Sequence, residues 1–147
     1  MKAKKSVMQL ETVRVDNFRL EWSLSTLEDK FDPGDYTVNL DFNIAPLDES
    51  EQLYGIKLLL KVNERKTSTP FRAKTELYGT FRFTSEEISE ERKARYLLLN
   101  GLSILYSFAR GYFFAKLDSL PPDSRLLPTV NLLDLVEKKA APKRENT

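Results

Sequence analysis

The chain has 147 residues, 31% of them charged, with a formal net charge of +1 and neither cysteine nor histidine. That length suits a single domain able to bury roughly 70% of the surface its unfolded chain exposes. Disulfides, zinc–thiolate sites, thiol nucleophiles and imidazole catalysis are excluded, so any enzyme would have to work with carboxylates, lysines, tyrosines and hydroxyls alone.

The balanced charge conceals an uneven distribution. Residues 28 to 51 hold eight acids against one base, and residues 57 to 82 hold seven bases against two acids. Both ends are basic: Lys2, Lys4 and Lys5 at one, Lys138, Lys139, Lys143 and Arg144 at the other. Residues 1–8 and 138–147 are expected as flexible tails on a single domain spanning 1–147. There is no apolar run of signal-peptide length at the amino end and no stretch long enough to cross a bilayer, so the chain is read as cytoplasmic, without membrane insertion.

Four segments in the first 84 residues alternate apolar and polar side chains, as half-buried antiparallel strands do. The first carries Val13 and Val15, then Phe18, Leu20, Trp22 and Leu24. The step of three between Val15 and Phe18 predicts a bulge near Asp16 and Asn17. After the turn signal Asp32-Pro33-Gly34-Asp35, the second strand places Tyr36, Val38, Leu40, Phe42 and Ile44 on one face, and Pro46 with the acidic Asp48 to Glu51 is expected to close it. The third, Tyr54 to Val62, contains three consecutive leucines (Leu58, Leu59, Leu60), which fits a strand covered on both faces or one lying centrally. The fourth runs from Phe71 to Phe83, with Gly79 permitting a close backbone approach. Short polar loops make these four strands read as a meander.

Thr84-Ser85-Glu86-Glu87 has the capping-box form, which predicts a helix starting there. Continued to about Asp118 it would be roughly 48 Å long in a domain about 38 Å across, so it should overhang or break. Within it, Tyr96 to Ala109 is an uncharged run of fourteen residues. On a 100° wheel, Leu97, Leu98, Gly101, Ile104, Leu105, Phe108, Ala109 and Tyr112 form a stripe suited to covering the sheet. A second apolar set, Leu99, Leu102, Tyr106 and Phe113, falls on another face and is assigned to subunit association. The prolines of Leu120-Pro121-Pro122 end the helix. Leu126, Leu127, Pro128 and Val130 make an apolar crossover, and a short last helix carries Leu132, Leu133, Leu135 and Val136. The fold class is therefore α+β: a four-stranded antiparallel sheet, a long apolar helix, a proline-containing crossover and a short C-terminal helix.

Two runs in the carboxyl third carry a resemblance. Leu105-Tyr106-Ser107-Phe108-Ala109-Arg110 is similar to a Leu-Phe-Pro-Tyr-Ala-Arg run, and Leu127-Pro128-Thr129-Val130-Asn131-Leu132 to a Leu-x-Pro-Val-Asn-Phe run, in the SecB protein-export chaperone family. The bulged first strand and the order of elements extend the resemblance over most of the chain. It implies an ATP-independent holding chaperone, with no catalytic residues, metal or cofactor, that keeps unfolded or extended client polypeptides export-competent or soluble in hydrophobic grooves. By position, the client-binding groove would comprise Val38, Leu40 and Phe42 with Leu126, Leu127, Leu132, Leu135 and Val136. The resemblance also implies a homotetramer built as a dimer of dimers, in which Leu99, Leu102, Tyr106 and Phe113 would face neighbouring subunits.

The chain departs from the family pattern in three places. Ser107 replaces a proline, Lys116-Leu-Asp-Ser-Leu-Pro replaces an Arg-Gly-x-Phe-Pro turn, and the tail is basic where the family's acidic surface and tail dock on the translocation motor ATPase. A SecB-like chaperone dedicated to an antitoxin of a toxin-antitoxin system therefore stands beside the export reading. A hot-dog acyl-thioesterase, in which a sheet also wraps an apolar helix, is a further alternative; there the helix follows the first strand or two, and here it follows four. Nucleic-acid binding by the basic strands is disfavoured by the neighbouring acidic stretch.

Overall fold

The computed structural model describes residues 1–23, 32–65 and 68–140. Leu24, part of the acidic segment, Lys66, and the tail residues Lys143 and Arg144 lie outside the described residues. Four strands, β1 (Met8–Trp22), β2 (Val38–Asp48), β3 (Leu53–Val62) and β4 (Phe71–Phe83), form one antiparallel sheet in the order β1-β4-β3-β2. A helical stretch follows: α1 (Glu90–Arg95), a π-helical turn (Tyr96–Gly101) and α2 (Leu102–Lys116). A crossover with a 3-10 turn at Pro122–Ser124 leads to α3 (Leu132–Ala140). This is the α+β architecture expected, with β3 central as its leucine run suggests.

The meander holds only for β2, β3 and β4. Strand β1 lies outside β4, so the chain crosses from one sheet edge to the other between Trp22 and Val38. Three strand spacings amount to about 14 Å, well within reach of the residues from 23 to 37. Strand β2 ends at Asp48, where the acidic run begins, and takes Pro46 into the strand. As an edge strand it has no second neighbour to which a Pro46 amide would have to donate.

The bulge is where the broken alternation puts it. The register of β1 against β4 shifts between Asp16 and Arg19, Asn17 sits at φ 52°, and the Thr75 hydroxyl donates to the Asp16 carbonyl at 3.1 Å. A second shift, between Leu10 and Thr12, leaves no mark in the apolar pattern. Met8 is a buried β1 residue, and Lys138 and Lys139 lie inside α3, so these three belong to elements rather than to tails.

The helix starts later than the capping-box motif predicts. Thr84 is held to the sheet by its amide and hydroxyl, both donating to the Val7 carbonyl at 2.9 and 3.2 Å. Ser89 caps instead, accepting from the Arg92 amide at 3.2 Å. From Glu90 to Lys116 the helical stretch is about 40 Å long, and it changes pitch through the π turn instead of breaking.

That turn also corrects the helical wheel. A π turn closes hydrogen bonds over one more residue than an α turn, which advances every later position by one. Leu102, Tyr106 and Phe113, expected to face other subunits, are buried in the chain's own core with Leu97, Gly101, Leu105 and Ala109. Ile104 and Phe108, expected against the sheet, are 38% and 42% exposed. The core forms between the helix and the inward side chains of the sheet, among them Leu58, Phe71, Leu77 and Phe81, all fully buried.

Candidate functional site

Strand β2 is an edge strand whose inward face carries Val38, Leu40, Phe42 and Ile44. Phe42 is buried, and the other three are half-buried against the core.

Four side chains hold the crossover in place by donating to its backbone carbonyls, which no secondary structure would otherwise satisfy. The Tyr36 hydroxyl reaches Ser124 at 2.7 Å and the Tyr106 hydroxyl reaches Pro128 at 2.5 Å. Arg110 Nε reaches Leu127 at 3.0 Å, and Arg125 Nε reaches Leu120 at 2.7 Å. Burial pushes the hydroxyls of both Tyr36 and Tyr106 up to about 12, with the Asp32 carboxylate contributing further at Tyr36.

Helix α3 is seated more loosely. The Asn131 side chain accepts from the Asp134 amide at 3.0 Å, an N-cap arrangement. Leu132, Leu135 and Val136 pack half-buried on the core, Leu133 faces solvent, and no residue of α3 is fully buried. The helix touches the π turn. At its far end Lys139 crosses to β2, donating to Asp41 Oδ1 at 2.7 Å and to the Phe42 carbonyl, with Nζ 4.3 Å from the Phe42 ring centroid. This hydrogen bond from Lys139 holds the Asp41 carboxyl below the usual carboxylate range.

Beyond Lys139 the apolar strip of β2 opens into a cleft of about 230 Å³, lined by Ile44, Pro46, Tyr54 and Leu98 among others. At its floor the Lys93 ammonium pairs with Glu90 at 3.1 Å and lies 5.8 Å from the Tyr54 ring centroid. The strip is thus reached by the end of α3 at Phe42 and is open at Ile44.

The residues proposed for the groove divide accordingly. Val38, Leu40, Leu132, Leu135 and Val136 are half-buried and pack on the core, and Phe42 is buried in it. Leu127 is fully buried and anchors the crossover, whereas its neighbour Leu126 is 47% exposed. Of the residues proposed for subunit contacts, only Leu99 keeps partial exposure. Sequence reasoning missed Ile44, Tyr54 and Leu98 at the open end, and Lys139, which stands three residues after Val136 and four after Leu135. That spacing puts Lys139 on the same helix face and could have drawn it out of the presumed tail.

No protein-family model and no curated protein matches the chain. Among solved structures it is similar to the SecB-like chaperone Rv1957 of Mycobacterium tuberculosis, in complex with a ChAD peptide from the Rv1956 HigA1 antitoxin. The TM-score is 0.54 at 18% identity, covering 84% of this chain and 91% of that one. The chain has a SecB-like fold. A protein of unknown function from Streptococcus agalactiae is also similar, with a TM-score of 0.37 at 16% identity over 84% of this chain and 96% of that one. The two motif runs that carry the SecB resemblance touch each other in space: Tyr106 and Arg110 of the first bind the carbonyls of Pro128 and Leu127 in the second. No helix among the described residues is long and apolar enough to cross a membrane.

Proposed function

We propose that this chain is a SecB-like holding chaperone, cytoplasmic and independent of nucleotide, that binds extended segments of unfolded clients along β2. The observation that carries the reading is the apolar strip from Val38 to Ile44, which passes from Phe42, reached by Lys139 of a helix with no fully buried residue, into an open cleft. A client side chain entering that cleft would gain about 25 cal/mol for each Å² of apolar surface removed from water, with few directional polar contacts to demand a particular sequence. Displacing α3 would lengthen the site toward Val38.

The peptide carried by the mycobacterial neighbour favours a client that is an antitoxin. The net charge of +1 points the same way, since docking on the translocation motor relies on an acidic surface in the resembled family. Subunit association falls to the outward face of α2, where Ile104, Phe108 and Phe114 are 38%, 42% and 40% exposed, and a dimer of dimers is the assembly proposed.

The test is light scattering from a chemically unfolded client diluted into buffer with and without the purified protein, repeated with any antitoxin encoded beside it. Suppressed aggregation near one binding site per client segment is expected. If neither general clients nor that antitoxin is protected, the reading is lost; protection of the antitoxin alone selects the dedicated form.

A further inference from the structure

The outward face of the sheet holds a feature that folding does not reward. At the end where β2 begins, the register places Arg19 of β1 opposite Lys74 of β4, and Lys74 opposite Lys61 of β3. Three cations on adjacent strands thus form one row, spaced at about 4.8 Å per strand. Like charges directly opposite one another destabilise a sheet. The neighbouring row is acidic, with Asp16, Glu76 and Asp41, but its charges are already engaged: Asp16 by Arg14 at 2.9 Å, Glu76 by Lys57 at 3.7 Å and Asp41 by Lys139 at 2.7 Å. On the basic row, Lys61 has Glu64 at 3.5 Å. Among the described residues, neither Arg19 nor Lys74 makes an ion pair.

A second, independent oddity adjoins the row. The turn after β3 holds two residues in the left-handed region, Asn63 at φ 58° and Arg65 at φ 65°. Asn63 is well used there. Its side chain accepts from the Thr37 amide and donates to the Phe71 carbonyl, both at 3.0 Å, tying together three strand ends. Among the described residues Arg65 makes no comparable bonds, and a β-carbon makes this conformation costly. Its effect is to bring a further guanidinium to a cleft of about 360 Å³ that Arg19, Lys61, Arg72 and Lys74 also line.

The geometry points to this cleft as a docking site for an acidic peptide segment, one presenting two or three carboxylates along its length. Guanidinium groups pair with carboxylates through two parallel hydrogen bonds, and such a partner would remove the repulsion along the row. Glu21 and Glu64 on the same cleft disfavour a polyphosphate chain and favour a peptide of mixed charge. The site does not depend on the chaperone reading, because it lies on the face of the sheet opposite the apolar strip.

The experiment is fluorescence anisotropy of a labelled glutamate-rich peptide against the full chain, beside its glutamine counterpart, with inorganic phosphate and a single-stranded oligonucleotide as competitors. The glutamate peptide should bind and the glutamine peptide should not, with affinity falling as salt rises through about 0.15 M. Arg19→Gln combined with Lys74→Gln should weaken binding at least about tenfold while leaving the melting temperature equal or higher, since a repulsion is removed. Arg65→Gly, which relieves the backbone, should weaken binding and raise stability, and serves as the second test if the double variant folds poorly. Absence of binding at low salt, or unchanged affinity in these variants, would overturn the assignment. So would preferential binding of the oligonucleotide or complete displacement by phosphate.

Discussion

Tyr106 donates its hydroxyl to the carbonyl of Pro128 at 2.5 Å, across a gap of 22 residues in sequence. One turn further along α2, Arg110 donates to the Leu127 carbonyl. Together these bonds fasten the crossover to the helix, and the crossover in turn delivers α3 to the edge of β2. The position of α3 beside the apolar strip therefore rests on two side chains that do not line it.

Tyr106→Phe leaves the Pro128 carbonyl without this donor while keeping the ring in the core. The expected loss is about 1 kcal/mol of stability, a fall of roughly 3 °C in melting temperature for a chain of this size. Calorimetry would measure it, and an unchanged transition would mean that the crossover is held by packing alone.

The two buried tyrosines impose an alkaline limit. Tyr36 and Tyr106 donate to backbone carbonyls, and burial raises both to about 12, against about 10 for tyrosine in an unfolded chain. A raised value in the fold means that stability is complete below pH about 10 and declines as pH climbs toward 12. The denaturation midpoint should fall over that window, and the double variant Tyr36→Phe, Tyr106→Phe should show a flatter decline. Equal slopes for both proteins would remove the tyrosines as the cause.

Two glycines should respond oppositely to alanine. A β-carbon at Gly79 would lie 2.7 Å from one Leu105 methyl and 3.0 Å from the Phe81 ring, both fully buried side chains. Gly79→Ala should cost about 1–3 kcal/mol through overpacking. At Gly111, in the middle of α2, a β-carbon meets nothing within 4 Å, so Gly111→Ala should gain about 0.5–1 kcal/mol from helix propensity. Urea titration of the two variants should move the midpoint in opposite directions.

The legible parts of the fold are those governed by a local period. Strand β4 has the limits its alternation sets, Phe71 and Phe83, and the step from Val15 to Phe18 locates the bulge. Strand order was not legible, because nothing local says that β1 passes β2 and pairs with β4. The faces of the helix were misread for one reason, the π turn at Tyr96–Gly101, which a fixed 100° rotation cannot represent. The consecutive Leu97, Leu98 and Leu99 offered a hint, since three adjacent apolar residues fit a segment that changes phase. The groove residues proposed on β2 and α3 rest on the SecB resemblance and not on a local period, whereas the open end between Ile44, Tyr54 and Leu98 needs three elements to meet.

The shifted phase moves the surface proposed for subunit contacts to Ile104, Phe108 and Phe114. Phe108→Glu places a charge on the exposed side of α2 without disturbing the core behind it, where Leu105 and Ala109 are buried. The variant should sediment as a smaller species than the parent while retaining its circular dichroism spectrum. The same substitution at Leu102, which is fully buried, should instead unfold the chain. A parent that is already monomeric at micromolar concentration would refute the assembly.

Leu126 and Leu127 offer the sharpest separation of folding from binding. They are adjacent on the crossover, yet Leu127 is fully buried and Leu126 is 47% exposed. Leu127→Ala should cost about 2–5 kcal/mol, the range for a buried leucine truncated to leave a cavity. Leu126 is only partly covered, so Leu126→Ala should cost much less, about 0.5 kcal/mol. If the groove extends to the crossover, however, Leu126→Ala should still weaken binding of an unfolded client by about tenfold, equivalent to about 1.4 kcal/mol. Measuring client affinity and melting temperature on both variants distinguishes the roles. Full client affinity in Leu126→Ala would confine the groove to β2, α3 and the cleft beside Ile44.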